Sequence, residues 1–153
     1  MIDIRAATSA DIPLLENMYR KEIEDHAERS QKFVEDLVLR YKTLLAIKDE
    51  AVCGTVTWEV RGGLDDGVVE MIGLGVNEGF KRQGIATRLV DAMIQNAKQF
   101  YSSSGYSLRV VLLFMEYSNE TARMFYSANK FKEVASIPSL YPQDDASIWT
   151  RHL

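Results

Sequence analysis

The sequence predicts an α/β fold: a single mixed sheet of about six to seven strands flanked by about four helices. Three observations lead there. Strand-like and helix-like hydrophobic periods alternate in the order β α α β β β α β α β β along 153 residues. Residues 85–97 repeat apolar side chains at a period near 3.6. Residues 108–115 are almost continuously apolar over the length of one strand, as suits a parallel strand buried on both faces.

Each element has its own local reason. Ile2 and Ile4 alternate with Asp3 and Arg5 as a short strand does. Thr8 or Ser9 can cap a helix that carries Ile12, Leu15, Met18 and Tyr19 on one face, with Pro13 tolerated in its first turn. A polar, charged stretch over residues 22–31 separates it from a second helical pattern over about residues 32–41, through Phe33, Leu37 and Val38. Residues 44–47 and 52–60 read as a hairpin around Asp49-Glu50. Val56, Trp58 and Val60 alternate there with Thr55, Thr57 and Glu59, so one face is expected to meet water. Gly62-Gly63 and Asp65-Asp66-Gly67 mark a loop before a strand over Val68–Val76. Gly84 heads the long helix, whose stripe of Ile85, Leu89, Met93 and Ala97 runs until Ser102-Ser103-Ser104-Gly105. Residues 119–129 form a short helix with Ala122, Phe125 and Tyr126 on one side, and strands follow near residues 131–137 and 146–151.

A hydrophobic share of 46% with 26% charged residues allows a packed core, and the length gives one domain over residues 1–153, with no linker and no repeat. The net charge of −4 disfavours nucleic acid and anionic lipid as partners and leaves a cationic substrate open. Cys53 is the only cysteine, so neither an internal disulfide nor a thiolate metal cluster forms. His26 and His152 are each too isolated for a metal site and read as ordinary surface residues; no metal is expected. The start, Met1-Ile2-Asp3-Ile4-Arg5, lacks the basic-then-apolar build of a secretory leader, and no apolar run approaches the ~18 residues that span a bilayer. A cytoplasmic address is the expectation.

The segment that carries chemistry is the turn after the strand Val68–Val76, where Asn77-Glu78-Gly79-Phe80 leads into Lys81-Arg82-Gln83-Gly84-Ile85-Ala86. N–H groups at a helix start lack intrahelical partners and sit at the positive end of the helix dipole, a natural anion site. Gly84 and the small Ala86 let a ligand approach the backbone. Cations at a helix start cost roughly 0.3–1 kcal/mol each unless an anion offsets them, so Lys81 and Arg82 point to a phosphate. A solvated basic turn before a surface helix explains the spacing equally well. No Gly-Lys-Ser/Thr closes a P-loop, and the first glycines of a dinucleotide fingerprint are missing.

Two segments taken together resemble the GNAT superfamily of acyl-CoA-dependent N-acetyltransferases. One is the turn just described, which stands where that family has Arg/Gln-x-x-Gly-x-Gly/Ala. The other is Asn119-Glu120-Thr121-Ala122-Arg123-Met124-Phe125-Tyr126, followed by Phe131. Lys81 replaces the usual first Arg or Gln, and Lys130 replaces the usual Gly before that Phe, so a left-handed helix end is expected at Asn129. The resemblance implies acetyl-CoA as co-substrate. It places the pyrophosphate on the turn, Lys81, Arg82, Gln83, Gly84, Ile85, Ala86 and Thr87, and the pantetheine arm along the backbone of Leu74, Gly75 and Val76, where Gly73 and Gly75 permit close approach. Asn119 is implied as a further contact to the arm, although capping the short helix explains it as well.

In such enzymes an amine attacks the thioester directly. A lysine-like amine has a pKa near 10.4, so deprotonating it at pH 7 costs roughly 4 kcal/mol, and a general base helps. Glu70, eleven residues before Lys81, resembles the catalytic glutamate of the histone-acetyltransferase branch; smaller relatives place their acid where Ile72 stands, on the same strand face. Glu59 and Glu116 are fallback bases, acting through water. The plain alternative for Glu70 is a strand glutamate facing solvent. Tyr126 matches the family tyrosine that protonates the departing sulfur; its plain alternative is a ring in the core with its hydroxyl at the rim.

The acceptor site of this family is built by the loop between the first two helices, the hairpins and the closing strands. Glu22, Glu24, Asp25, Glu28, Glu59, Asp65 and Asp66 favour a small cationic amine or amino-acid derivative there, or are simply a solvated acidic surface. Tyr141-Pro142-Gln143-Asp144-Asp145-Ala146 is similar to a hairpin of protein N-terminal acetyltransferases, although Phe114 stands where that subfamily commonly has a glutamate. Protein amino termini or lysines are therefore the alternative acceptors. A non-catalytic acyl-CoA-binding module and a nucleotide-binding protein are the rivals from other classes, and a homodimer stays open.

Overall fold

The computed structural model describes every residue from Met1 to Leu153. Its strands are β1 (Asp3–Ala6), β2 (Lys42–Lys48), β3 (Ala51–Arg61), β4 (Val68–Val76), β5 (Val110–Glu116), β6 (Lys132–Tyr141) and β7 (Asp144–His152). Its α-helices are α1 (Ile12–Glu22), α2 (Ala27–Glu35), α3 (Ile85–Ser103) and α4 (Glu120–Ala128). The strands form one seven-stranded mixed sheet in the order β1-β2-β3-β4-β5-β7-β6, the α/β class and element order expected. The chain divides into two compact units, Met1–Glu59 with Gly73–Asn96, and Val60–Ile72 with Ala97–Leu153. No helix is long and apolar enough to cross a membrane.

In the first unit β1 and β2 pair antiparallel, and β2 and β3 form the expected hairpin. Asp49 and Glu50 both hold left-handed backbone angles, φ 52° and 65°, as the tightest hairpin turn requires. Leu15, Val34, Leu45 and Val52 make the core, with Ile12, Met18, Tyr19, Val38 and Ile47 packed around it. The polar bracket of this core is Asp11. Its two oxygens accept from both terminal nitrogens of Arg5 at 2.7 and 2.8 Å, and Oδ2 also accepts from the Thr8 amide at 2.7 Å. That joins the end of β1 to the turn that opens α1, with Pro13 in the first turn as expected.

Two expectations in this unit are corrected. The second helix begins at Ala27, inside the stretch read as a polar connector, because His26 acts as its N-cap and accepts from the Arg29 amide through Nδ1. It ends at Glu35 and continues as a five-residue π-turn, Asp36–Arg40. The second correction is to the wet face of β3, since Thr57 is buried. The Thr43 hydroxyl donates to the Leu37 carbonyl at 2.7 Å, so it accepts from the Thr57 hydroxyl at 2.8 Å, and both polar groups are satisfied without water.

In the second unit β5 runs parallel to β4, from Val68↔Val110 to Glu70↔Leu112, and antiparallel to β7 along its whole length. The β6–β7 hairpin turns at Pro142-Gln143, between the paired Tyr141 and Asp144. Gly67 has no room for a side chain, because a Cβ there would lie 2.5 Å from the Ser107 carbonyl oxygen. Its own carbonyl accepts from the Arg109 and Val110 amides, which starts β5 beside β4. Helix α4 is capped at Asn119, and the left-handed residue after it is Lys130, φ 71°, rather than Asn129, φ −102°. Asn129 instead closes the helix, donating its amide to the Phe125 carbonyl, with its side chain bonded there too.

Candidate active site

The turn of the first unit brings exposed backbone to the start of α3. Asn77 anchors its start: the Asn77 amide donates to the Cys53 carbonyl at 2.8 Å and the side-chain amide to the Val52 carbonyl at 2.9 Å, fixing the end of β4 to β3. A short 3-10 turn, Glu78–Phe80, follows. Arg82 and Gly84 then take left-handed backbone angles, φ 65° and 76°, a conformation a non-glycine residue adopts only at some cost. The first helical bond is Arg88 amide to Gly84 carbonyl, 3.2 Å, which leaves the Ile85, Ala86 and Thr87 amides of the first turn without intrahelical acceptors. Lys81, Arg82, Gln83 and Gly84 are exposed, and the space where a Gly84 side chain would stand is open. Lys81 is not an unbalanced cation, since its ammonium lies 3.0 Å from Glu78; Arg82 has no acidic partner.

Strand β4 enters this turn with Gly73 and Gly75 exposed and nothing within 4 Å of where their side chains would be. Leu74 and Val76 between and after them are half-buried. Gly54 on β3 faces this stretch and has no room for a side chain, because a Cβ there would lie 2.8 Å from the Gly75 carbonyl oxygen. The strands β3 and β4 therefore meet at a pair of glycines. Beside this stretch lies a cleft of about 220 Å³ walled by Leu15, Met18, Tyr19, Phe33 and Leu37 and floored by Gly73, Leu74 and Gly75.

The second unit holds all the titratable candidates but Glu59. Glu70 is not a free solvent-facing carboxylate: it is largely covered, and its Oε1 accepts from Nε of Arg61 at 2.7 Å. Ile72, two residues on, is exposed. Tyr141 feels both Glu116 and Glu70; burial first, then these two carboxylates, push its phenol above the ordinary value. Glu116, Ser118, Tyr141 and Asp144 line a polar cavity of about 410 Å³. Asp144 holds its far wall, accepting from the Ser118 amide at 2.9 Å and from the Ser118 hydroxyl at 2.6 Å. Glu59, the other candidate base, is half-buried on β3 in the first unit.

Tyr126 sits on α4 with its ring against Phe125, Phe131 and Trp149, at centroid distances of 5.3, 5.5 and 6.5 Å. Its hydroxyl has no acceptor in the protein, and burial raises its pKa above the ordinary value near 10, keeping it a proton donor. Asn119 is engaged as the cap of α4, its Oδ1 accepting from the Ala122 amide at 3.0 Å.

Sequence reasoning missed the supports of α4. Arg123 donates through Nε to the Tyr117 carbonyl at 2.6 Å, pairs with Glu133 at 2.8 Å and lies over the Tyr117 ring at 4.2 Å. Glu133 also accepts from Ser147, which in turn accepts from Trp149 Nε1 at 2.8 Å. These partners lie on four separate segments, so no local pattern announces them. His26 was detectable only as a polar residue preceding a capped polar turn.

The chain matches the model of the acetyltransferase (GNAT) family over residues 12–131. No curated protein matches the sequence significantly. Among solved structures, ribosomal-protein-alanine N-acetyltransferase from Brucella melitensis superposes with a TM-score of 0.75 at 19% identity, covering 99% of each chain. Arabidopsis thaliana NAA60 in complex with a bisubstrate analogue gives 0.76 at 22% identity, covering 99% of this chain and 98% of that one. The same plant protein with acetyl-CoA gives 0.73 at 22% identity, covering 100% and 99%. With the family's two motifs standing on the turn before α3 and on the capped helix α4, and the family model spanning more than half its length, the chain belongs to the GNAT family of acetyl-CoA-dependent N-acetyltransferases.

Proposed function

We propose that this acetyltransferase moves the acetyl group directly from coenzyme A to a primary amine, with Tyr126 as general acid and a carboxylate as general base. The observation that carries the reading is the exposed turn over residues 81–84, uncovered at Gly84, which opens α3 with first-turn amides that lack intrahelical acceptors. A diphosphate answers that arrangement in both charge and hydrogen bonding. The resident contacts are then Arg82, Gln83, Gly84, Ile85, Ala86 and Thr87, with Lys81 at the edge. The backbone of Leu74, Gly75 and Val76 supplies strand-like hydrogen bonds to the pantetheine arm, which the empty space over Gly75 admits. Asn119 contributes to that arm only through its amide nitrogen, because its oxygen caps α4.

The acceptor nitrogen attacks the thioester carbon; as the carbon–sulfur bond breaks, Tyr126 gives its proton to sulfur and a carboxylate takes the proton from nitrogen. The aromatic packing that holds the Tyr126 ring and leaves its hydroxyl without an acceptor supports the acid role. Glu70 supports the base role with its second oxygen, its first being held by Arg61; Glu116, exposed on the polar cavity, is the next candidate, through water, and Glu59 the last. The cationic acceptor suggested by composition has less support, since Asp25 is paired with Arg20 at 2.8 Å and Glu24 with Arg29. A peptide amino terminus is the second reading, favoured by the cavity that Tyr141 and Asp144 build with Glu116.

A thiol-release assay over amine and peptide acceptors, run beside calorimetry of acetyl-CoA binding, tests the reading. Tyr126→Phe and Glu70→Gln should each lower kcat about a hundredfold or more, the scale of a lost general acid or base, while both still bind acetyl-CoA. Parent protein that binds the coenzyme yet releases no thiol with any acceptor would identify a non-catalytic binding module instead.

A further inference from the structure

The cleft beside Gly73-Leu74-Gly75 is lined by no charged residue at all, although the protein is acidic and the neighbouring loop is rich in carboxylates. Of the threonines that line it, Thr57 spends its hydroxyl on Thr43, outside the cleft. Tyr19 and Phe33, tilted rings with centroids 4.7 Å apart, form one wall. At its mouth two large apolar side chains stay in water, Ile23 at 65% exposure and Phe33 at 43%. Clustered exposure of this kind, at the rim of an apolar recess, marks a place where something apolar docks. The π-turn Asp36–Arg40, which carries Leu37 into the wall, is a distortion enriched at functional sites. The volume, about 220 Å³, falls below the roughly 300–1,000 Å³ of a site for a whole drug-sized ligand. One bulky side chain or ring fits; a peptide does not.

We infer that this cleft receives the apolar substituent of the acceptor, so that the substrate is a primary amine whose neighbouring carbon carries a group of the size of a leucine, methionine or phenylalanine side chain. The inference rests on the N-acetyltransferase reading above, because Gly73, Leu74 and Gly75 form both the floor of the cleft and the strand assigned to the coenzyme arm. A cation is refused by the lining, which offers it no carboxylate, and a small residue leaves the recess filled with poorly bonded water. Two sources carry the same chemistry: a free aliphatic or aromatic alkylamine, and the first residue of a peptide.

The test is acetyl transfer by the full-length protein to phenylethylamine, leucinamide, and tetrapeptides beginning with Met, Leu, Phe, Ala or Ser, with spermidine as the cationic member. Apolar acceptors should exceed the alanine and serine peptides and spermidine by about tenfold or more in kcat/KM, the scale at which a hydrophobic pocket discriminates. Transfer to the peptides alone, or to the free amines alone, identifies the source. Ile23→Asp and Phe33→Ser, both at exposed rim positions and checked by thermal melts, should collapse that ratio by raising KM for the apolar acceptors. A preference for alanine, serine or spermidine, or a ratio that both substitutions leave intact, overturns the inference while transfer itself stands. Absence of transfer to every acceptor by protein that binds acetyl-CoA removes the catalytic reading and the inference with it.

Discussion

Tyr126 is the residue whose surroundings say most about its chemistry. Three aromatic rings fix its position and its hydroxyl is left without an acceptor, while burial lifts its pKa above the ordinary value. A general acid must carry its proton at the working pH, and a raised pKa extends that condition upward. The alkaline limb of kcat due to Tyr126 is therefore expected above about pH 10, the unperturbed tyrosine value, and rates measured from pH 6 to 10 should show no fall that Tyr126→Phe abolishes. A midpoint near pH 8 or 9 that vanishes in Tyr126→Phe contradicts the assignment. Tyr126 could be found in the sequence because it stands with Asn119 and Ala122 in one contiguous motif that folds as a capped helix. The ion pair that occupies one oxygen of Glu70 could not, because Arg61 reaches it across the loop between two strands. The cleft was equally hidden: Met18, Tyr19 and Phe33 have the spacing of core residues, and only their assembly with β4 leaves a recess among them.

At the scale of elements, glycine spacing separates structure from function. Gly54→Ala would set a methyl group 2.8 Å from the Gly75 carbonyl oxygen and 3.1 Å from Leu89 Cδ1, and overpacking of this kind costs about 1–3 kcal/mol. Gly75→Ala meets nothing within 4 Å, so its melting temperature should hold or rise slightly while affinity for acetyl-CoA falls, if a ligand backbone runs over that position. Melting curves and calorimetry of the two variants check the contrast; equal loss of stability in both would remove Gly75 from the coenzyme contacts. The β1–α1 junction makes a second prediction. Arg5 and the Thr8 amide hold the Asp11 carboxyl well below the usual carboxylate range. The unfolded chain thus takes up that proton first, near pH 4. The stability Asp11 supplies is complete above that pH and drains away as the pH falls toward the folded value. Asp11→Asn should cost about 1–3 kcal/mol at pH 7, the worth of charge-assisted hydrogen bonds, and should flatten the fall in melting temperature between pH 4 and 2. Elements with a strong period and a clear cap, α3 and α4, could be read from sequence to within a residue or two. Helix α2 could not, because Ala27-Glu28-Arg29-Ser30-Gln31 offers no apolar stripe and histidine is an unusual cap.

At the scale of the molecule, the boundary between the two compact units falls inside secondary-structure elements. Strand β3 changes unit after Glu59, β4 gives Val68–Ile72 to one and Gly73–Val76 to the other, and α3 changes unit after Asn96. No Pro-, Gly- or Ser-rich linker intervenes at any of the three crossings, and each lies within a continuous strand or helix. We therefore propose one cooperative domain, expected to unfold in a single calorimetric transition whose van't Hoff and calorimetric enthalpies agree. A ligand that binds only the folded chain raises that transition by mass action. Acetyl-CoA at a hundred times its dissociation constant adds about 2.7 kcal/mol, which for a chain of this length moves the melting temperature by about 5–10 °C. The cradle proposed at the start of α3 would hold any diphosphate, so the size of the shift with ATP measures how much of the affinity lies in the turn and how much in the strand before it. A large shift with acetyl-CoA and a small one with ATP places the selectivity along Leu74, Gly75 and Val76. Equal shifts reduce the turn to a holder of nucleotide diphosphates, and two separate transitions, only one of them moved by ligand, divide the chain into two domains.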